Sequence, residues 1–283
     1  MSTQQAPAPR WKTLAQENIA KAFKEGEKSS VLYQVLSTVS PGPPPVPHSR
    51  YVVHRGFVNE QRSKETASGI ETFDKNFLAS NSLILTTTDI RAPKAQEMAA
   101  TAKETGAARG EICWWQESSQ IQLRLNGYYH LLPTASHPLA KEFPGERLSP
   151  PHSNSSSSSS TFDWAQERQR HYEKLSPDLL ASFARPIPGS AHPKSGSLSA
   201  GPGEDGKEGE EEKSPWPLKL PPPGKAENEE QRKALEESEK NFALLVFEPL
   251  TVDVVDLTRD KRSLFERKGD SPNGEWTEKR LVP

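Results

Sequence analysis

A single cysteine, Cys113, stands in a chain of 283 residues. One cysteine excludes an internal disulfide framework and any cysteine-based zinc or iron–sulfur site. It falls in an apolar run beside Trp114 and Trp115, where a small buried hydrophobe is the expected role. Basic excess is missing as well: the formal net charge is -2, which argues against a nucleic-acid partner. No window holds enough apolar residues to cross a bilayer, and the first ten residues, MSTQQAPAPR, lack the apolar core of a signal peptide. A soluble, cytoplasmic protein without a membrane partner is expected. Hydrophobic residues make up only 33% of the chain and prolines number 26. That is too polar for a chain that is globular throughout, and a compact domain diluted by disordered insertions explains it better.

Catalytic signatures are also lacking. There is no G-x-G-x-x-G, no P-loop and no G-x-S-x-G elbow. No two histidines sit at metal-ligand spacing: His171 is expected on the exposed side of its helix, and His48, His137, His152 and His192 in loops. No metal site is expected, and no Ser, His, Asp set can be assigned as catalytic. If the protein is an enzyme, the hard chemistry falls to an organic cofactor, with the chain supplying shape and charge.

What is present reads as a series of strands. Trp11 to Glu25 has apolar residues at helical spacing. Val31 to Val39 and Arg50 to Phe57 are rich in β-branched and aromatic residues and predict a long hairpin across the proline-rich segment 41–47. Along its second arm Arg50, Val52 and His54 share one face, and Tyr51, Val53 and Arg55 the other. Gln61 to Gly69 reads as a loop and Phe73 to Leu78 as a short helical turn. Further strands are expected at Leu83–Thr88, Glu111–Gln116, Gln120–Gly127, Asn241–Pro249, Leu250–Leu257 and Arg262–Arg267. Helices are expected over Phe162–Leu175 and Ser176–Phe183, the second with Ser176 as cap and Pro177 at its first position. Residues 143–160, with the run Ser155–Ser160, and 191–239 are read as disordered insertions in one domain spanning 1–283. Short turns between strands predict a largely antiparallel sheet, closed or partly closed, with helices at its edges.

The stretch Leu83 to Lys94 carries the most chemistry. A strand ending in Thr86, Thr87 and Thr88 opens a helix with Pro93 at its start, beside Arg91 and Lys94. A helix N-terminus with two cations and several hydroxyls suits a phosphate. An ordinary strand–turn–helix with solvated basic residues stands as an equal reading of this stretch by itself.

Four segments in order resemble the FMN-binding split barrel of the pyridoxamine 5'-phosphate oxidase family: Arg50-Tyr-Val-Val-His-Arg55, Thr87-Thr-Asp-Ile-Arg-Ala-Pro-Lys94, Gln122-Leu-Arg-Leu-Asn-Gly127 and Trp276 to Pro283. A branch with a Thr-Asp-x-Arg-Ser-x-Lys motif is also similar at Trp114-Trp115, Trp164-x-x-x-Arg168 and Pro186-x-Pro-Gly189. The resemblance implies a mainly β fold, an antiparallel, Greek-key-like split β-barrel with peripheral helices, and FMN as cofactor. It implies that Arg50 and Lys94 hold the FMN phosphate, with Thr87 and Thr88 nearby and Arg91 assisting. The backbone of Val52 and Val53 would line the ring, Gln122 would meet its polar edge, and Arg262 would reach the flavin. Arg55 also falls in the flavin-binding segment, at a position where the family has a substrate-facing lysine. Family members are homodimers with FMN at the interface, so Gln122 or Arg262 would serve the partner's flavin.

The departures concern the substrate. Thr258 and Asp260 stand where the oxidase has an Arg-x-His pair, and Val252 to Val255 replace a tryptophan near the flavin. Arg55 and Arg185 are the candidate substrate contacts. The expected function is thus an FMN-dependent oxidoreductase on an unassigned small molecule. The alternatives are a flavin-binding protein without turnover, or a protein-interaction scaffold on the same fold.

Overall fold

The computed structural model describes residues 7–26, 30–63, 69–80, 82–153, 161–191 and 214–283. Helix α1 (Arg10–Lys24) precedes the hairpin β1 (Tyr33–Ser40) and β2 (Val46–Val53), then β3 (Gly56–Phe57). A small hairpin follows, β4 (Glu60–Arg62) and β5 (Ile70–Thr72), then β6 (Ile84–Asp89) and helix α2 (Pro93–Thr105). Strands β7 (Ala108–Gln116) and β8 (Ile121–Leu132) form the next hairpin. Helices α3 (Gly145–Leu148), α4 (Trp164–Glu173), α5 (Pro177–Phe183) and α6 (Glu229–Asn241) come next. The chain ends in β9 (Phe242–Asp256), β10 (Lys261–Arg267) and β11 (Trp276–Leu281).

All named strand pairs are antiparallel, in the order β11-β10-β9-β8-β7-β1-β2, with β6 joining β9 to β3. Because β3 continues from β2, and the Arg55 amide donates to Leu85 O at 2.8 Å, the sheet curls back onto itself. The first half of β9 pairs with β6 and its second half with β10, so the barrel is split along one strand. This is the expected split barrel. Its interior is filled by side chains of alternate residues, among them Leu36, Val52, Phe57, Ile84, Ile112, Trp114, Leu123, Leu125 and Phe247. Each such side chain contributes roughly 1.5–3 kcal/mol when fully buried. A second cluster, including Leu83, Leu85, Leu244, Val246, Phe162 and Trp164, covers the outer face of β6 and β9. Both faces of the first half of β9 are therefore buried, and the continuous apolar run from Phe242 to Phe247 follows from that.

Several expectations are corrected. The two strands predicted over 241–257 are one, because a bulge at Asn126/Gly127 accommodates Pro249. Gly127 is required there: a Cβ would lie 2.0 Å from Glu248 O. Gln61 and Arg62 are not loop residues but pair with Glu71 and Ile70. Phe77 is not helical and bridges to His152. Residues 143–153, assigned to an insertion, are placed: Leu148 is fully buried, and Arg147 pairs with the buried Glu248. Residues 214–239 are placed as well. Leu220 packs with α5 and α6, its amide donating to Pro177 O at 3.1 Å, and α6 buries Leu235, Ser238 and Asn241. Apolar partners brought from distant segments outweigh the polar local composition. The run Ser155–Ser160 and residues 192–213 lie outside the described residues.

Candidate functional site: a cationic cradle at the barrel mouth

Strand β2 places Arg50 and Val52 on the interior face, and Tyr51, 77% exposed, on the outer one. Strand β6 turns Thr86 and Thr88 to the same interior side as Ile84, and Thr87 to the opposite side with Leu85. Arg50 and Thr88 thus share the interior side, and Thr87 does not. Thr88 Oγ1 donates to Asp89 O at 3.1 Å, whereas the buried Thr86 Oγ1 has no partner.

Arg50 is already engaged. Nη1 donates to Thr38 Oγ1 at 2.5 Å and His48 O at 3.0 Å, and Nη2 to Glu97 Oε2 at 3.2 Å. Glu97 also accepts from Thr38 and lies 2.6 Å from His48 Nδ1. Burial by itself would push the Glu97 carboxyl up. The hydrogen bonds from Thr38 and His48 and the charges of His48 and Arg50 win, and hold it below its ordinary value.

Lys94 differs. It is half-buried and has no hydrogen bond or ion pair among the described residues. Burial first, and the Arg50 guanidinium second, push its ammonium below its ordinary value, with Asp89 opposing. Two cations therefore sit close enough to repel, and only one has a full counter-ion. The first turn of α2 adds less than its sequence promises. Asp89 takes the amides of Arg91 and Ala92, Pro93 has none, and Ala92 O takes those of Ala95 and Gln96. Among the described residues, the Lys94 amide is the one first-turn donor without a hydrogen-bond partner.

Arg91 is not brought into this cradle. It forms a two-pronged pair with Asp89, at 3.0 and 2.7 Å, and donates to Phe183 O and Arg185 O at 3.1 and 2.9 Å. It clamps α2 to the end of α5, and Arg185 is held there through its carbonyl. Gln122 and Arg262 lie on strands flanking β9, both in register with Val255. They share the outer face with the half-exposed Tyr33 and the exposed Tyr51, away from the interior side of Arg50. Arg262 is paired two-pronged with Asp253, which also accepts from Arg124.

Arg55 lines a cavity of about 490 Å³ together with His54, Arg62, Arg170, His171 and Lys174. His171, expected on an exposed helix face, is only 6% exposed. Helix α4 is covered on most sides: Glu167 accepts from the Asn59 amide and from Arg170, and Arg168 donates to Phe242 O. Glu97, Thr38 and His48 were missed as partners of Arg50. The i, i+3 spacing of Lys94 and Glu97 on one helix is the signal that could have linked them. Among the described residues no group of three His, Cys, Asp or Glu could hold a metal ion, and no helix is long and apolar enough to cross a membrane.

Residues 8–133 match the family model described as "Pyridoxamine 5'-phosphate oxidase, FMN-binding domain". Over this segment, 126 of the 283 residues, the chain is similar to the pyridoxamine 5'-phosphate oxidase family. The matched segment of the oxidase-like domain holds the cradle, Arg55 and Gln122, and leaves out Arg185 and Arg262. Among solved structures, a pyridoxamine 5'-phosphate oxidase-related FMN-binding protein from Nostoc punctiforme PCC 73102 is similar over 97% of this chain and 98% of its own, with 18% identity and TM-score 0.54. PhzG from Burkholderia lata 383, in complex with tetrahydrophenazine-1-carboxylic acid, is similar over 98% and 94%, with 12% identity and TM-score 0.50. At these identities the likeness is one of fold. No curated protein matches the chain.

Proposed function

We propose that this protein binds FMN and acts as an FMN-dependent oxidoreductase on a small molecule. The observation that carries the reading is Lys94: a half-buried ammonium beside Arg50, without an ion pair among the described residues, next to an open amide. A phosphate there relieves the repulsion between the two cations and accepts from both side chains. Arg50 and Lys94 would hold the phosphate, with Thr88 at its side. The backbone of Val52 and Val53 would line the ring. Bound FMN supplies two-electron redox chemistry, which no side chain of this chain replaces.

Gln122 and Arg262 would act in a homodimer, each serving the flavin held by the partner. The exposed Tyr51 and its edge-on contact with Tyr33, centroids 6.4 Å apart, support an apolar face built to be covered. Arg55, whose Nε is buried without a partner, is the foremost substrate contact. Arg185, tied by its carbonyl to Arg91, is the weaker one. A second reading, a protein-interaction scaffold without cofactor, is favoured by Glu97: it already occupies part of the Arg50 guanidinium and competes with a phosphate.

The test is direct. Purified protein should be yellow, release FMN on denaturation and carry about one flavin per chain. Colourless protein that takes up no added FMN would overturn the reading. Peroxide and aldehyde formed from pyridoxamine 5'-phosphate, or from other amines and alcohols, would separate turnover from simple binding.

A further inference from the structure

The cavity of about 490 Å³ lies between α1, the β4–β5 hairpin and α4. Its floor is apolar: Ile19, Phe23, Leu32, Phe57 and Ile70. Its rim is cationic, and the charges are unevenly matched. Glu60 is neutralised by Lys12 at 2.5 Å, and Glu167 by the two-pronged Arg170 at 3.0 and 2.6 Å. Arg55, Arg62 and Lys174 have no ion-pair partner among the described residues. Arg62 instead rests its guanidinium 4.0 Å from the Phe23 ring centroid. His171, more than nine-tenths buried, lines the same cavity, and its Nε2 has no hydrogen bond, Glu167 Oε1 being 3.7 Å away. The second histidine on this wall, His54, is pushed down to about 3 by burial first and then by the charges of Arg62, Lys12 and Arg55. It is therefore neutral at physiological pH and adds nothing to the surplus.

A void with an apolar base, three uncompensated cations and a buried nitrogen without a partner is built for one class of occupant. We infer that this cavity binds a small organic oxyanion, an apolar or aromatic body carrying a carboxylate or phosphate, with its body against Phe23, Phe57 and Ile70 and its charged end among Arg55, Arg62 and Lys174. As the identity of the substrate, the assignment rests on the flavin reading above; as a binding site it does not.

The probes are naphthalene-2-carboxylate, 2-naphthyl phosphate and the neutral naphthalene-2-carboxamide, titrated calorimetrically into the full chain before and after FMN is added. One or both anions should bind at least tenfold more tightly than the amide, and their ratio tells which charged end is preferred. Lys174→Gln and Arg62→Gln alter exposed side chains and should each weaken the anion roughly fivefold while leaving the amide unchanged. Both variants should keep wild-type FMN content, so a failure of flavin binding is read separately from a failure here. Equal binding of anions and amide, no binding of any probe, or anion affinity indifferent to both substitutions would overturn the assignment.

Discussion

Arg50 Nη2 donates to Glu97 Oε2 at 3.2 Å across the junction of β2 and α2. A guanidinium expected to wait for a ligand is thus held by an internal carboxylate, and the neighbouring Lys94 is left with the unmet charge. Affinity for an anion at this mouth becomes a contest between Glu97 and the incoming phosphate.

Removing the cations should abolish flavin retention. Lys94→Ala should weaken FMN about tenfold or more, in line with ~1.5–3 kcal/mol for a charge-assisted hydrogen bond. The double variant with Arg50→Ala should elute colourless. Flavin per chain after gel filtration checks this, and unchanged stoichiometry in the double variant would remove the cradle from consideration.

Glu97→Gln should act in the opposite direction on ligand and fold. It frees Arg50, so FMN affinity should rise severalfold. It also weakens the contacts to Thr38, His48 and Arg50, so apo-protein stability should fall by ~1–3 kcal/mol. Denaturant unfolding and FMN titration, run on one preparation, read both effects; a loss in both would mean that Glu97 shapes the site rather than competes for it.

Lys94 sets a pH dependence. Its folded-state value lies below the ordinary 10.5, so between the two values the unfolded chain binds more protons. Apo stability should therefore rise with pH across that window. A bound phosphate favours the charged form, so FMN affinity should fall as pH rises through the depressed value. Lys94→Met should flatten both trends. Titrations from neutral pH to about pH 10 decide it, and an affinity that climbs with pH would contradict the assignment.

Arg91 should behave as a clamp. Arg91→Ala leaves Asp89 and the Phe183 and Arg185 carbonyls short of a donor, at a cost of about 2–3 kcal/mol. FMN affinity in the folded fraction should change less than threefold. Selective loss of FMN with unaltered unfolding would instead return Arg91 to the ligand.

The outer face should mediate pairing of two copies. Tyr51→Glu places a charge on the most exposed tyrosine of that face and should convert a dimer into a monomer by light scattering, with weaker flavin retention. A wild-type chain that is monomeric at micromolar concentration with full flavin would remove the partner's role for Gln122 and Arg262.

The β1–β2 and β7–β8 hairpins, the common face of Arg50 and Val52, and the strand-to-helix passage through Thr88 and Pro93 are all written in local pattern. Period-two alternation and a proline at a helix start need no distant partner to be read. The long β9 and the helix α6 were harder, because their burial depends on neighbours from other segments. Pro249 was read as a break, yet a bulge opposite it at Gly127 keeps the strand whole.

By itself the sequence determined which side chains share a face of each strand, and hence that Arg50 and Val52 point the same way. Only the tertiary structure decided what each charge touches. Glu97 reaches Arg50 over 47 residues and Arg185 O reaches Arg91 over 94; His171 is buried because α4 is packed in among other segments. Counter-ion choice is a matter of a few ångströms between segments, and chain order carries no record of it until the helices dock.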